Sequence, residues 1–139
     1  KRHCGRKILA RKLERQLFED GKLVYYLGIG SLLYGVNADL KRRGLASDWR
    51  EHVRRFAEVA HLFMDAGIML VVTAIELTQD DRDILETVID KDMVHVVWVG
   101  EKVTTDIEYD LHLKDTKNPD EGVVLVKHLL QARGIIFKP

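Results

Sequence analysis

The chain is predicted to fold as an α/β protein, a three-layer α/β/α sandwich built around a mainly parallel sheet. Short, nearly all-apolar runs alternate along the sequence with amphipathic segments of helical period. The apolar runs lack the polar alternation of a half-exposed strand, which is typical of strands covered on both faces. The length of 139 residues, with 46% apolar and 32% charged residues, suits one globular domain over residues 1–139.

The first half of the chain predicts two helices and two strands. Apolar residues at helical spacing predict a helix over residues 7–20. A short, nearly all-apolar run predicts a buried strand over 23–27. Either Ser47 or Asp48 is expected to cap a second long helix, which ends near Gly67. The run at 68–74 is the strongest strand of the chain and is predicted to be central in the sheet.

The second half continues the alternation. Thr78 is expected to cap a helix with two aspartates in its first turn, where they suit the positive end of the helix dipole. Buried strands are predicted over 93–99 and, more briefly, over 110–113. Asn118 is expected to cap a last helix, which ends at Gly134. The ligand crevice of such a sheet lies at the carboxyl ends of its strands.

Charge and cysteine content exclude several classes of function. The 22 basic and 22 acidic residues cancel, so no nucleic-acid partner and no membrane surface is predicted. Cys4 is the only cysteine, which rules out an internal disulfide and predicts a cytoplasmic location. No apolar run approaches the roughly 20 residues needed to cross a bilayer. The six histidines show no metal-ligand spacing, and no metal site is predicted.

Several segments resemble the adenylylsulfate (APS) kinase family. Residues 24–40 (VYYLGIGSLLYGVNADL) are similar to the family's Y-V-L-D-G-D-N-V-R-H-G-L-N-x-D-L. Residues 53–67 (VRRFAEVAHLFMDAG) are similar to its I-R-R-x-x-E-V-A-x-L-F-x-D-A-G. Shorter matches are D-R-D at 81–83, the V-Y-V strand at 97–99 and the P-E-E-A-V helix at 119–123.

The resemblance implies a P-loop nucleoside triphosphatase fold and a known reaction. Family members transfer the γ-phosphoryl group of ATP to the 3′-hydroxyl of APS, giving PAPS, with Mg²⁺ as cofactor. Such transfer depends mainly on positioning and on charge neutralisation. The fold also implies a strand ahead of the first helix, which is not found among residues 1–139.

The phosphate loop is degenerate. The family's G-K-S/T corresponds to Gly5, Arg6 and Lys7, with Cys4 just before it, so the lysine is replaced by arginine and the Mg²⁺-binding hydroxyl is lost. One interpretation is a surviving anion site at a helix N-terminus. The other is a solvated basic helix start.

The substrate loops have lost charges as well. Two loop aspartates of the family fall on Gly28 and Gly30, which leaves either a backbone anion nest or a plain turn. The family's D-R-x-E-N segment falls on residues 48–52, so its arginine is either lost to Trp49 or displaced to Arg50. Arg54 is retained, and it could contact an anion or pair with acidic neighbours on its own helix.

The family's lid, a basic stretch after the V-Y-V strand, is absent between residues 100 and 110. Lids exclude water and complete the catalytic site, so its loss should depress phosphoryl transfer. We therefore predict no catalytic residues and a domain of sulfate activation that has lost kinase activity. It would serve as a structural or regulatory module that contacts other domains of a sulfate-activation protein or its own copies.

Two alternatives remain from the sequence. The domain could be a sensor that binds a nucleotide, APS or PAPS without reacting. It could also be a weak kinase in which Glu76 or Asp81 assists. Whether ATP and Mg²⁺ are cofactors of this chain is left open by the sequence.

Overall fold

Helices and strands alternate along the chain, which confirms the predicted α/β class. The computed structural model describes residues 4–29, 39, 46–115 and 117–137. Its helices are α1 (Cys4–Glu19), α2 (Ala46–Asp65), α3 (Gln79–Val88) and α4 (Pro119–Ala132). Its strands are β1 (Val24–Gly28), β2 (Met69–Thr73), β3 (Val97–Val99) and β4 (Leu111–Leu113). A short 3-10 helix at Lys91–Met93 precedes β3.

The strands form two parallel pairs. β1 pairs with β2 in a register that runs from Val24 opposite Met69 to Gly28 opposite Thr73. β3 pairs with β4, with Trp98 opposite His112. The strand at 68–74 was expected to be central, but among the described residues β2 pairs with β1 alone, and no backbone hydrogen bond joins β2 to β3.

The two pairs nevertheless belong to one layer, because side chains of both pairs pack against the same α1–α4 cluster. On one face, α1 packs against β1, β2 and α4, and α4 packs against β4. On the other face, α2 packs against β2 and α3. The side chains of β2 alternate accordingly: Met69 and Val71 join the α1–α4 cluster, and Leu70 and Val72 join the α2–α3 cluster.

Most helix ends follow the predicted rules. Thr78 and Asp81 form a reciprocal capping box at the start of α3. The Asn118 side chain accepts the first free N–H groups of α4, and Pro119 takes the first helical position. Gly67 follows α2 with a φ of +79°, a left-handed conformation that glycine adopts without strain.

Two predicted boundaries were wrong in the first part of the chain. The first helix begins at Cys4 rather than residue 7. Neither Ser47 nor Asp48 caps the second helix, because that helix already begins at Ala46. Asp48 lies instead in the first turn, where a carboxylate suits the helix dipole.

The strand predicted over 93–99 is confirmed only over its last three residues. The Asp90 side chain accepts the N–H of Asp92 and so starts the 3-10 helix. The N–H of Val96 donates to the Asp110 carboxylate at 2.8 Å instead of to a neighbouring strand. Side-chain acceptors therefore shorten this strand, which hydrophobicity alone does not predict.

Candidate functional site

An open crevice of about 770 Å³ lies at the carboxyl ends of β1 and β2. Its walls come from the first turn of α1, from β1 and β2, from the loop after β2, and from the starts of α2 and α3. The lining residues are Arg6, Lys7, Tyr26, Gly28, Ile29, Trp49, Thr73, Ala74, Ile75, Glu76, Thr78, Asp80 and Asp81. The crevice is therefore where a parallel sheet is expected to bind its ligand.

The amino end of α1 brings positive charge to the crevice. Cys4, Gly5, Arg6 and Lys7 form the first turn of α1, which contains no acidic residue. Arg6 and Lys7 both line the crevice, whereas Gly5 is not among its lining residues. Free N–H groups and the helix dipole add to these two cations, so an anion is favoured at this end.

The glycine predicted to replace a loop aspartate lies at the crevice wall. Gly28 ends β1 opposite Thr73, and both residues line the crevice. Since Gly28 has no side chain, the strand end contributes only backbone groups. Gly30, the second predicted position, lies outside the described residues.

The two predicted arginines are engaged in ion pairs beside the crevice and do not line it. Arg50 Nη1 lies 2.6 Å from Asp80 Oδ2. Arg54 binds both carboxylate oxygens of Glu51, at 2.6 and 2.9 Å. Hydrogen bonds from Arg54 and then Arg55 lower the pKa of Glu51 to about 2. The structure therefore shows Arg54 paired with Glu51 on its own helix, which was one of the two alternatives for this residue.

A buried carboxylate anchors the crevice floor, a role that sequence reasoning missed. Asp81 is 3% exposed and accepts hydrogen bonds on both oxygens, from Trp49 Nε1 at 2.9 Å and from the Thr78 N–H at 2.8 Å. Beneath the indole, His52 is 1% exposed with its ring centroid 5.2 Å from that of Trp49. Burial lowers the pKa of His52, against a weaker opposing hydrogen bond to the backbone of Ile29. The sequence signal that could have located this site was Trp49, a tryptophan flanked by the charged residues Asp48 and Arg50.

Tyr26 is a second polar group that the sequence did not single out. Its hydroxyl lies 2.7 Å from Thr73 Oγ1, across the parallel pair of strands. The Arg11 guanidinium lies over its ring, 4.8 Å from the centroid. Two hydroxyl groups therefore meet between β1 and β2 inside the crevice, where an apolar strand pattern predicts only packing.

The segment that replaces the family's lid is held against the loop after β2. Thr104 Oγ1 donates to Glu76 at 3.2 Å, and Thr105 Oγ1 donates to the Leu77 carbonyl at 2.6 Å. Glu76 has a φ of +48°, a conformation that costs a non-glycine residue about 1 kcal/mol. Two further bonds join Gln79 to this segment. The segment is consequently a fixed rim of the crevice.

Neither a metal cluster nor a membrane helix is found in the part of the chain that the structure describes. No group of three or more His, Cys, Asp and Glu side chains there has the arrangement needed to hold a metal ion. No helix among these residues is both long enough and apolar enough to cross a membrane.

Comparison with known proteins gives a consistent result. The adenylylsulphate kinase family model matches residues 2–118. An adenylyl-sulfate kinase of Clostridium acetobutylicum is 40% identical over 92 residues, which are 66% of this chain and 45% of that protein. The chloroplastic adenylyl-sulfate kinase 2 of Arabidopsis thaliana is 32% identical over 83% of this chain and 36% of its own length. The chain thus spans less than half the length of these relatives.

Solved structures agree. The APS kinase CysC of Mycobacterium tuberculosis, in complex with AMPPNP and APS, superposes with a TM-score of 0.75 at 26% identity, covering 91% of both chains. A Cys556Ala mutant of the same enzyme superposes with a TM-score of 0.73 at 29% identity. The predicted P-loop nucleoside triphosphatase fold is confirmed, and the chain belongs to the adenylylsulfate kinase family.

Proposed function

We propose that this domain serves sulfate activation without transferring phosphate, as a structural or regulatory module. The observation that carries the proposal is Gly28 at the crevice wall, where the family's aspartate would stand. A backbone position without a carboxylate cannot hold Mg²⁺ or orient an acceptor hydroxyl. Function depends on the site rather than on the fold, so family membership does not restore what these positions lack.

The remaining carboxylates near the crevice support the same proposal. Asp81 accepts one hydrogen bond from Trp49, which joins α2 to α3, and one from the Thr78 N–H, which caps α3. Asp80 is paired with Arg50. Glu76 accepts from Thr104 in the rim. A general base must reach the proton that it removes, and each of these groups already serves packing or pairing.

The test is PAPS formation from ATP, APS and Mg²⁺. We expect no product above the protein-free control. Restoring the family's residues with Arg6→Lys, Lys7→Ser, Gly28→Asp and Gly30→Asp supplies a phosphate lysine, a metal hydroxyl and both carboxylates. Product from this variant alone supports the proposal, whereas product from the unaltered chain contradicts it.

A nucleotide or APS/PAPS sensor is the second candidate, and the cations at the amino end of α1 favour it. Arg6 and Lys7 line the crevice together with the backbone of Gly28. Titration calorimetry with ATP, ADP, APS and PAPS, in Mg²⁺ and in EDTA, separates the candidates. A sensor binds equally well in both buffers and binds more weakly after Lys7→Ala, while a purely structural module shows no heat at millimolar ligand.

The partners and location follow from the same proposal. We place the domain in the cytoplasm, beside other domains of a sulfate-activation protein or against its own copies. A pull-down with ATP sulfurylase and a mass measurement in solution test these two kinds of contact.

A further inference from the structure

We infer that the outer edge of β1 is a docking site for an extended peptide of a partner protein, which adds to the sheet as one more strand. The peptide carries carboxylates on the face that meets α1 and apolar side chains on the face that meets α2. The inference goes beyond the proposed function, because it holds whether or not the domain transfers phosphate.

Alternate residues of β1 turn their backbone groups outward, away from β2. The N–H of Met69 donates to the Leu23 carbonyl at 2.8 Å, so Leu23 faces β2. Successive residues of a strand point their N–H and C=O groups to opposite sides. Val24 and, two residues further on, Tyr26 therefore face outward.

Most of these outward groups have no partner among the residues that the structure describes. The N–H of Tyr26 donates to Glu14 Oε2 of α1 at 2.5 Å, so a side-chain oxygen lies where the carbonyl of a neighbouring strand would lie. No hydrogen bond to the N–H or C=O of Val24, or to the Tyr26 C=O, is found among the described residues. An open strand edge of this kind is a template for another extended chain.

An open groove of about 560 Å³ borders this edge on the α1 side. Its lining residues belong to α1 and, in one case, to β1: Arg11, Lys12, Glu14, Arg15, Phe18 and Val24. Three of them are cations, and the one carboxylate, Glu14, already accepts the Tyr26 N–H. None of these residues lines the crevice, so the groove is a separate surface.

The cations of the groove are available to carboxylates of a partner. Among the described residues, no carboxylate lies within ion-pair distance of the Arg11 guanidinium. Lys12 pairs with Asp120 at 3.1 Å. Arg15 pairs with Glu19 at 3.4 Å, and the Arg15 side chain is 82% exposed. Exposed pairs of this kind contribute little to stability, so acidic side chains of a docked peptide can replace them. Charge complementarity therefore selects an acidic peptide.

Aromatic rings flank the edge on both faces of the sheet. On the α2 side, the Tyr25 ring stacks on Phe63 with the ring centroids 5.3 Å apart, and Tyr25 is 49% exposed. On the α1 side, Phe18 of the groove is 69% exposed. In strand addition, main-chain hydrogen bonds supply affinity and alternate side chains supply specificity. The stacked rings thus meet apolar side chains of the peptide, while Arg11 and Arg15 meet its carboxylates.

The test uses a peptide of about eight residues in which glutamate alternates with valine, a length typical of a strand. NMR chemical shifts of the Val24 and Tyr26 amides are followed as the peptide is added. We expect saturable shifts at both amides. The same peptide with lysine in place of glutamate should bind about tenfold more weakly, because the groove is cationic.

Two N-methylated peptides test the backbone contact. In a docked strand, the N–H groups of one alternate set of residues face β1, and those of the other set face solvent. One peptide is methylated at its valines and the other at its glutamates. We expect one of the two to lose binding and the other to bind as the unmethylated peptide does.

Two charge reversals test the groove. Arg15→Glu reverses a cation of the groove, and Lys91→Glu reverses an exposed cation of the 3-10 helix, outside the groove. Both variants change the net charge by the same amount, so they share any long-range effect on an acidic peptide. Arg15→Glu should weaken binding about tenfold, and Lys91→Glu should weaken it less than about twofold.

Three results would overturn the inference: no shift at millimolar peptide, equal binding of the two N-methylated peptides, or equal weakening by the two charge reversals. Shifts confined to crevice residues such as Lys7 would place the peptide in the crevice and overturn it as well. A dimer mass for the free domain, with Val24 shifts that vanish on dilution, would assign the edge to a second copy and overturn the assignment to a partner protein.

Discussion

The buried face of α2 keeps the family's sequence pattern, whereas the edge of the crevice beside it departs from that pattern. Along α2, Val53, Phe56 and Ala57 are buried, within the segment whose sequence resembles the family's helix. At the crevice, the sequence resemblance aligns Gly28 and Lys7 with a carboxylate and a hydroxyl residue of the family, and both line the crevice. Packing residues lie along helix faces while chemistry lies at strand ends, so one can change while the other is kept.

The largest effect should come from the packed interior. Leu17 is 1% exposed in the α1–α4 cluster, and Leu17→Ala should lower the free energy of unfolding by about 2–5 kcal/mol because it leaves a cavity. Its neighbour Phe18 is 69% exposed, so Phe18→Ala should change it by less than about 0.5 kcal/mol. Urea unfolding measures both. Equal losses would mean that α1 does not pack as described.

The second largest effect on stability should come from the crevice floor. Asp81→Ala removes the acceptor of two hydrogen bonds, from Trp49 and from the Thr78 N–H, and should cost about 1–3 kcal/mol. Asp80→Ala breaks only an exposed pair with Arg50 and should cost less than about 1 kcal/mol. Thermal unfolding of the two variants compares them. A larger loss of stability for Asp80→Ala would show that the exposed Arg50–Asp80 pair, rather than Asp81, holds the crevice floor together.

The pH dependence of stability separates a buried histidine from the surface charges. Burial lowers the pKa of His52 in the folded state, so below about pH 6.5 the unfolded chain takes up this proton more readily. Stability should therefore fall as the pH drops through that value, and His52→Gln should reduce the slope. Urea unfolding between pH 8 and 5.5 measures it. A slope unchanged by the substitution would refute the role of His52.

The smallest effect should come from the arginine-bound carboxylate on the surface of α2. Because Arg54 and Arg55 hold the pKa of Glu51 at about 2, its pairing stabilises the fold above pH 4.5 and is lost as the pH falls toward 2. Solvent screens such pairs, so Glu51→Gln should cost roughly 0.5 kcal/mol at pH 7. The difference should vanish at 1 M salt, and persistence there would indicate a buried interaction.

The elements that could be predicted from sequence are those set by local chemistry. Neighbouring residues are enough to predict the cap at Thr78 and the start of the last helix, where Asn118 is the cap and Pro119 the first helical residue. The same holds for the apolar strands at 24–28 and 69–73. The shortened strand before Val97 could not be predicted, because it depends on Asp110 from a distant segment.

The candidate site divides in the same way. Arg6, Lys7 and Gly28 were placed at the crevice by their motif positions, and the structure brings them together there. The ion pair between Arg50 and Asp80 joins two helices through residues that lie 30 positions apart in sequence. No local sequence pattern predicts that pair, so the sequence alone left a substrate role for Arg50 open.

Phosphoryl transfer tests the central claim most directly. PAPS formation from ATP and APS in Mg²⁺ is measured for the unaltered chain, beside an active family member. The account predicts no product above the protein-free control. Product from the unaltered chain, abolished by Arg6→Ala, would contradict the account.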